Sequence, residues 1–215
     1  AWDIARVNQI HTLAAQVHTP HTDAGHPLYY LDANGRYPDK ALLERFLAGI
    51  SASGALERVS ILEEPFAEDA AISVTDLPVR VAGDEQVHTP ADVTRLVEEL
   101  GFGAIALKPI AKTLSVSLAI FNEAQRLGVP CFCADLTVPP VMIVWNINVA
   151  ARISPLPGMK IAAFESNGAQ NYSDWALLSS MHPLQSPAFL HPERHVYTLD
   201  DRFYATCSAL LDYPA

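Results

Sequence analysis

From residue 28 onward, short apolar runs alternate with longer segments whose apolar positions recur three and four apart. The runs LYYLDAN, RVSILEE, VRVAGDE, AIALK, VPCFCAD and MKIAAFE read as strands. They are short and apolar at consecutive positions, the pattern of parallel strands covered on both faces. The segments between them read as helices: PDKALLERFLAGI, with Pro38 suited to a first turn, a short polar helix near AEDAAISV, then TPADVTRLVEELG. In the last of these Thr89 is the expected N-cap, Pro90 the first helical residue and Gly101 the stop. TLSVSLAIFNEAQRLG, PPVMIVWNINVAARI and YSDWALLSSMH continue the series, and residues 3–17 predict one more helix ahead of the first strand.

Strands alternating with helices predict an α/β fold, either an open sheet or a closed barrel. No glycine-rich loop follows the first strand, which argues against a dinucleotide site. Each expected strand ends on an ionisable residue: Asp32, Glu63, Asp84, Lys108, Asp135 and Glu165, spaced 21 to 31 residues apart. That spacing is one strand–helix unit, so the same structural position recurs. In a barrel these ends meet at one mouth, where active sites of that architecture lie. The stretch ILEEPF, residues 61–66, is the sharpest case, because it closes an apolar run with two glutamates. Carboxylates are costly to bury alone, and like charges raise one another's pKa. A hard divalent cation such as Mg²⁺ relieves both, which makes Asp32, Glu63 and Asp84 a candidate ligand set. Strand alternation turns Glu64 to the other side.

Composition narrows the classes. The chain has 215 residues, 50% hydrophobic and 18% charged, with a net charge of −10. It is an ordinary globular composition with no basic stripe, so neither nucleic acid nor membrane is an expected partner. The longest apolar stretch, PPVMIVWNINVAA, is too short to span a bilayer. No signal-peptide pattern opens the sequence, and the cytoplasm is the expected location. Cys131, Cys133 and Cys207 cannot all pair, which suits a reducing compartment. CFC reads as buried thiols rather than a metal site. His18, His21 and His26 fall in a loop broken by Pro20, and His182, His191 and His195 lie in a proline-rich tail without triad spacing.

LDANG, ILEEPF, VAGDEQ and AIALKP, in that order, resemble the enolase superfamily, specifically its mandelate racemase and muconate lactonizing enzyme group, over roughly residues 1–200. The resemblance implies an incomplete TIM-type (β/α) barrel of about six parallel strands with helices outside. The expected barrel occupies residues 1–185, with a loop-rich tail over 186–215. Against the family pattern, the capping domain and the first two barrel strands are missing, including the strand that carries a second lysine base in many members. The chain therefore reads as part of a larger enzyme. Its outer strands, Leu28 to Asp32 and Lys160 to Glu165, would be unpaired edges that weaken cooperative unfolding.

The same resemblance implies Mg²⁺ bound by Asp32, Glu63 and Asp84, a catalytic base at Lys108 and a second catalytic group at Glu165 in FESNG. Candidate substrate contacts are Asn34, two residues after Asp32, Asp135, where other branches carry a different polar residue, and Asn167, which opens the polar run NGAQNY. The implied reaction is removal of a proton α to a carboxylate through an enediolate, the cation acting as a Lewis acid. A free lysine titrates near ~10.4, and an effective base near ~7–8. A nearby cation and a water-poor mouth push Lys108 in that direction. Lys112, one turn on, is expected to face solvent. The expected substrate is a small carboxylate, with acid-sugar dehydration or racemisation as the outcome, and the full-length form is expected to be a homo-oligomer. Two other readings stand beside this one. Lys108 could form a Schiff base in an aldolase, which borohydride trapping would reveal, or the chain could be a non-catalytic barrel portion that binds Mg²⁺ without exchanging α-protons.

Overall fold

The computed structural model describes residues 1–134, 137–182, 190–194 and 196–205. Five strands form one sheet: β1 (Tyr29–Asp32), β2 (Val59–Glu63), β3 (Val81–Gly83), β4 (Ala104–Leu107) and β5 (Cys131–Cys133). Their order in the sheet is their order in the chain. β1–β2, β2–β3 and β3–β4 pair in parallel. Parallel strands require crossovers, and here every crossover steps in the same direction. A doubly wound sheet would reverse partway, so the topology is that of an incomplete (β/α) barrel.

The helices are α1 (Trp2–Ala14), α2 (Lys40–Ser51), α3 (Pro90–Thr94), α4 (Leu114–Arg126), α5 (Pro140–Ala150), α6 (Gly168–Asn171), α7 (Trp175–Ser180) and α8 (Asp201–Ala205). α3 continues as a π-helical turn over Arg95–Glu99. It starts as its sequence predicts, with the Thr89 amide donating to the Asp92 carboxylate (2.8 Å). Gly101 stops it at φ +83°, where a Cβ would lie 2.3 Å from the Thr75 hydroxyl.

Three expectations fail locally. MKIAAFE makes no sixth strand. Its first residues turn elsewhere: Met159 bridges Thr22 antiparallel, and the Lys160 amide donates to His21 (2.9 Å). What remains of the expected ladder is a parallel bridge from Phe164 to Cys133. No helix forms at residues 67–74, where the Ala70 amide closes a turn on Ala67 and the Val74 amide donates to Leu100 (2.7 Å). Pro38 stands outside α2, because Asp39 takes the cap and accepts from the Leu42 amide (2.7 Å).

The chain divides into two compact units. The first comprises Ala1–Ala106, Ala119–Cys131 and Ser154–Ile161. There α2 buries Leu43, Phe46, Leu47 and Ile50, one helical stripe, and Ile61, Leu62, Val81, Ala82 and Leu96 are buried as well. The second comprises Leu107–Leu118, Phe132–Ile153 and the described residues from Ala162 onward. Its core gathers Val138, Ile143, Val144, Ile147, Leu190 and Phe203. The last two lie beyond residue 185, so part of the expected tail belongs to a core.

Candidate functional site

In the first unit, β1–β2 register pairs Asp32 with Glu63, and β2–β3 register pairs Glu63 with Ala82. Strand side chains alternate between faces. Asp32, Glu63 and Ala82 therefore share a face, and Asp84 follows Ala82 by two residues. Their surroundings differ. Asp32 is exposed and accepts two bonds from Asn34, the backbone amide at Oδ1 (2.8 Å) and the side-chain amide at Oδ2 (3.4 Å). This is an Asx turn, and Asn34 takes φ +50° within it. Glu63 and Asp84 are each only 2% exposed. Glu63 Oε2 accepts the hydroxyl of Tyr30, the residue two before Asp32 on β1.

Three carboxylates suit a hard cation by chemistry. Yet among the described residues no three His, Cys, Asp or Glu side chains stand close enough together to hold a metal ion. Asp32 turns to Asn34 and Glu63 to Tyr30, so the trio as folded is aligned along the strands without forming a coordination shell.

Glu64 departs most from its expectation. It is 1% exposed and leaves the strand at φ +38°. Its Oε2 accepts the backbone amide of Asp84 (2.7 Å). Burial pushes its pKa up, against the bond from the Asp84 amide and the approach of the Gln86 side-chain amide, while the charges of Glu85 and Asp84 push the same way as burial. Oε1 of Glu64 and both polar atoms of the Gln86 side chain are buried without a well-formed hydrogen bond. The sequence carried no signal for this arrangement, since alternation holds only while the backbone stays extended.

A cleft of about 1030 Å³ opens beside Asp32 and Asn34, lined also by Trp2, Tyr30, Arg36 and Arg45.

In the second unit Lys108 follows β4 directly and is half-buried. Its carbonyl accepts the Lys112 amide (2.9 Å). Lys112 lies one turn on and is itself half-buried. Glu165 follows the bridging Phe164, is half-buried, and donates its amide to the Cys133 carbonyl (2.9 Å). Asn167 accepts the Thr137 hydroxyl (2.7 Å), and Tyr172 donates its own hydroxyl to the Thr137 carbonyl (3.0 Å). Thr137 sits at φ +57°, so Asn167 and Tyr172 clamp a strained turn. Asp135 and His195 lie outside the described residues. His182 is buried, which holds its pKa down. Cys131 and Cys133 are buried, and burial pushes the Cys131 thiol up to about 12.

The model of a family described as enolase C-terminal domain-like matches residues 3–175. The chain belongs to that family. Among solved structures it is similar to a mandelate racemase/muconate lactonizing protein from Herpetosiphon aurantiacus, at 21% identity and TM-score 0.61, covering 78% of this chain and 43% of that one. It is similar to the L-Ala-D/L-Glu epimerase from Bacillus subtilis, at 20% identity and TM-score 0.62, covering 80% and 44%. It is also similar to a dipeptide epimerase from Enterococcus faecalis complexed with Mg and a dipeptide, at 19% identity and TM-score 0.57, covering 75% and 43%. At such identities these likenesses show the shared fold, and the chain spans under half the length of each. Among curated proteins nothing matches. No helix among the described residues is long and apolar enough to cross a membrane.

Proposed function

We propose that this chain is the catalytic barrel portion of an enzyme that removes a proton α to a carboxylate, with an acid sugar as the leading substrate class and dehydration or racemisation as the outcome. The observation that carries the proposal is the alignment of Asp32 and Glu63 across adjacent strands, with Asp84 two residues past their register partner. Family membership supports it. Lys108 is the proposed base: its neutral amine takes the α-proton, and the C–H electron pair moves into the enediolate. Glu165 is the proposed second group, returning a proton or assisting a departing hydroxyl. Asn34, Asp135 and Asn167 are proposed substrate contacts. Mg²⁺ is the proposed cofactor at Asp32, Glu63 and Asp84; the Asp32 and Glu63 side chains would first have to leave Asn34 and Tyr30. The proposed location is the cytoplasm and the proposed assembly a homo-oligomer.

The test is exchange of the α-proton into deuterated solvent, followed by NMR, with D-gluconate, mandelate and L-Ala-L-Glu as probes. The expected result is exchange of one probe by the chain and loss of that exchange in Lys108→Ala. Equal exchange in the variant would assign the base elsewhere, and no exchange of any probe would remove the support for this reading.

A further inference from the structure

The second glutamate of ILEEPF sits where three strand ends meet. The Glu64 amide donates to the Ala82 carbonyl (2.9 Å), two residues before Asp84. Its carbonyl accepts the Gly35 amide (2.7 Å), three residues after Asp32. Its side chain accepts the amide of Asp84 itself (2.7 Å). Glu63 is its covalent neighbour. One residue therefore bonds to the chain that follows β1 and to the end of β3, and it terminates β2.

The arrangement is costly in two ways that the fold tolerates. A non-glycine residue at φ +38° occupies the left-handed region, which L side chains rarely take. Glu64 is also only 1% exposed, and one of its carboxyl oxygens lacks a well-formed hydrogen bond, so the group gives up hydration. Strain and lost hydration gathered in one residue are what functional positions retain. The partner loop is shaped to match: Gly35 takes φ +69°, and a Cβ there would meet the Phe66 carbonyl and the Ala67 Cα at 3.4 Å.

We propose that Glu64 is a positioning residue, whose carboxyl group fixes the backbone of Asp84 relative to Asp32 and Glu63 and thereby sets the spacing of the three acidic strand ends. This rests on the reading that those three residues serve the α-proton chemistry. Glu64 touches no substrate; it acts through Asp84.

The test uses the full chain and three substitutions. Glu64→Gln keeps a side-chain acceptor for the Asp84 amide. Glu64→Leu removes it at similar size. Glu64→Gly removes it while relieving the left-handed backbone, so a role confined to backbone strain would leave the glycine variant as good as the parent. Amide hydrogen exchange at Asp84 is read without substrate. Glu64→Leu and Glu64→Gly should exchange about tenfold faster there, and Glu64→Gln should stay within about threefold of the parent. With a probe that the parent turns over, kcat should fall about a hundredfold in the leucine and glycine variants and recover in the glutamine variant. Should Glu64→Leu fail to fold, the glycine and glutamine pair decides. Unchanged protection of Asp84 in the glycine variant, or a glutamine variant as impaired as the glycine one, overturns the proposal. A parent that exchanges no probe defeats the catalytic reading alone, because the amide measurement still judges Glu64.

Discussion

Asp32 at the end of β1 and the Glu63–Glu64 pair at the end of β2 are neighbours across the sheet, yet water reaches them differently. Asp32 is exposed and folds back on its own loop, accepting two bonds from Asn34. Glu63 and Glu64 are 2% and 1% exposed and find partners on other strands, Tyr30 on β1 and Asp84 past β3. A solvated carboxylate can take a local partner at little cost. A buried one must be met by donors brought from a distance, or it destabilises the fold. The end of β2 is therefore anchored by tertiary contacts, and the end of β1 is where the chain stays adjustable.

Breaking the anchored side should have the greatest consequence. Tyr30→Phe removes a hydroxyl that serves a buried carboxylate and should cost about 1–3 kcal/mol. In a chain of this size that lowers the melting temperature by several degrees in a thermal scan, since each kcal/mol is worth about 2–4 °C. A variant that melts with the parent would show that burial does not separate the two strand ends.

A more modest change is expected on the adjustable side. Asp32→Ala removes an exposed Asx turn and should change stability by no more than about 0.5 kcal/mol, as surface changes do. Denaturant titration of both variants in one buffer gives the contrast directly. An Asp32 variant that falls as far as Tyr30→Phe would mean that the β1 end is anchored as firmly as the β2 end.

The slightest effect sharpens the same distinction with a fourth carboxylate. Glu123 on α4 accepts bonds from Arg126 (2.7 and 2.9 Å) and from the Thr94 hydroxyl (2.6 Å). The Arg126 guanidinium, then Thr94, hold its pKa down to about 2, from the 4.5 of an ordinary glutamate. A depressed folded-state pKa contributes stability above the unfolded value, and that contribution is lost as pH falls through the folded one. Between about pH 4.5 and pH 2 the parent should lose stability more steeply than Glu123→Gln. Parallel melting profiles over that window would show that the ion pair contributes nothing.

Much of the architecture was legible in the chain. The helical spacing that buries Leu43, Phe46, Leu47 and Ile50, the N-cap at Thr89 and the stop at Gly101 all follow from rules that act within a few residues, and the structure keeps them. The acidic strand ends were legible for the same reason, because apolar runs and their polar terminators are local patterns. The missing sixth strand and the absent helix at 67–74 were not. Both are decided by distant acceptors, His21 for the Lys160 amide and Leu100 for the Val74 amide.

Spacing and side-chain type were enough to specify the acidic residues that end the first two strands, the buried stripe of α2 and the family to which the chain belongs. What each carboxylate touches was set only when the strands packed together. Glu64 shows why. Alternation along an extended strand predicts that it points away, but at φ +38° the backbone is no longer extended. Its carboxyl group then meets an amide 20 residues further along the chain, at Asp84. Hydrogen bonds across such distances depend on packing that brings the strand ends together, and no local pattern encodes that packing.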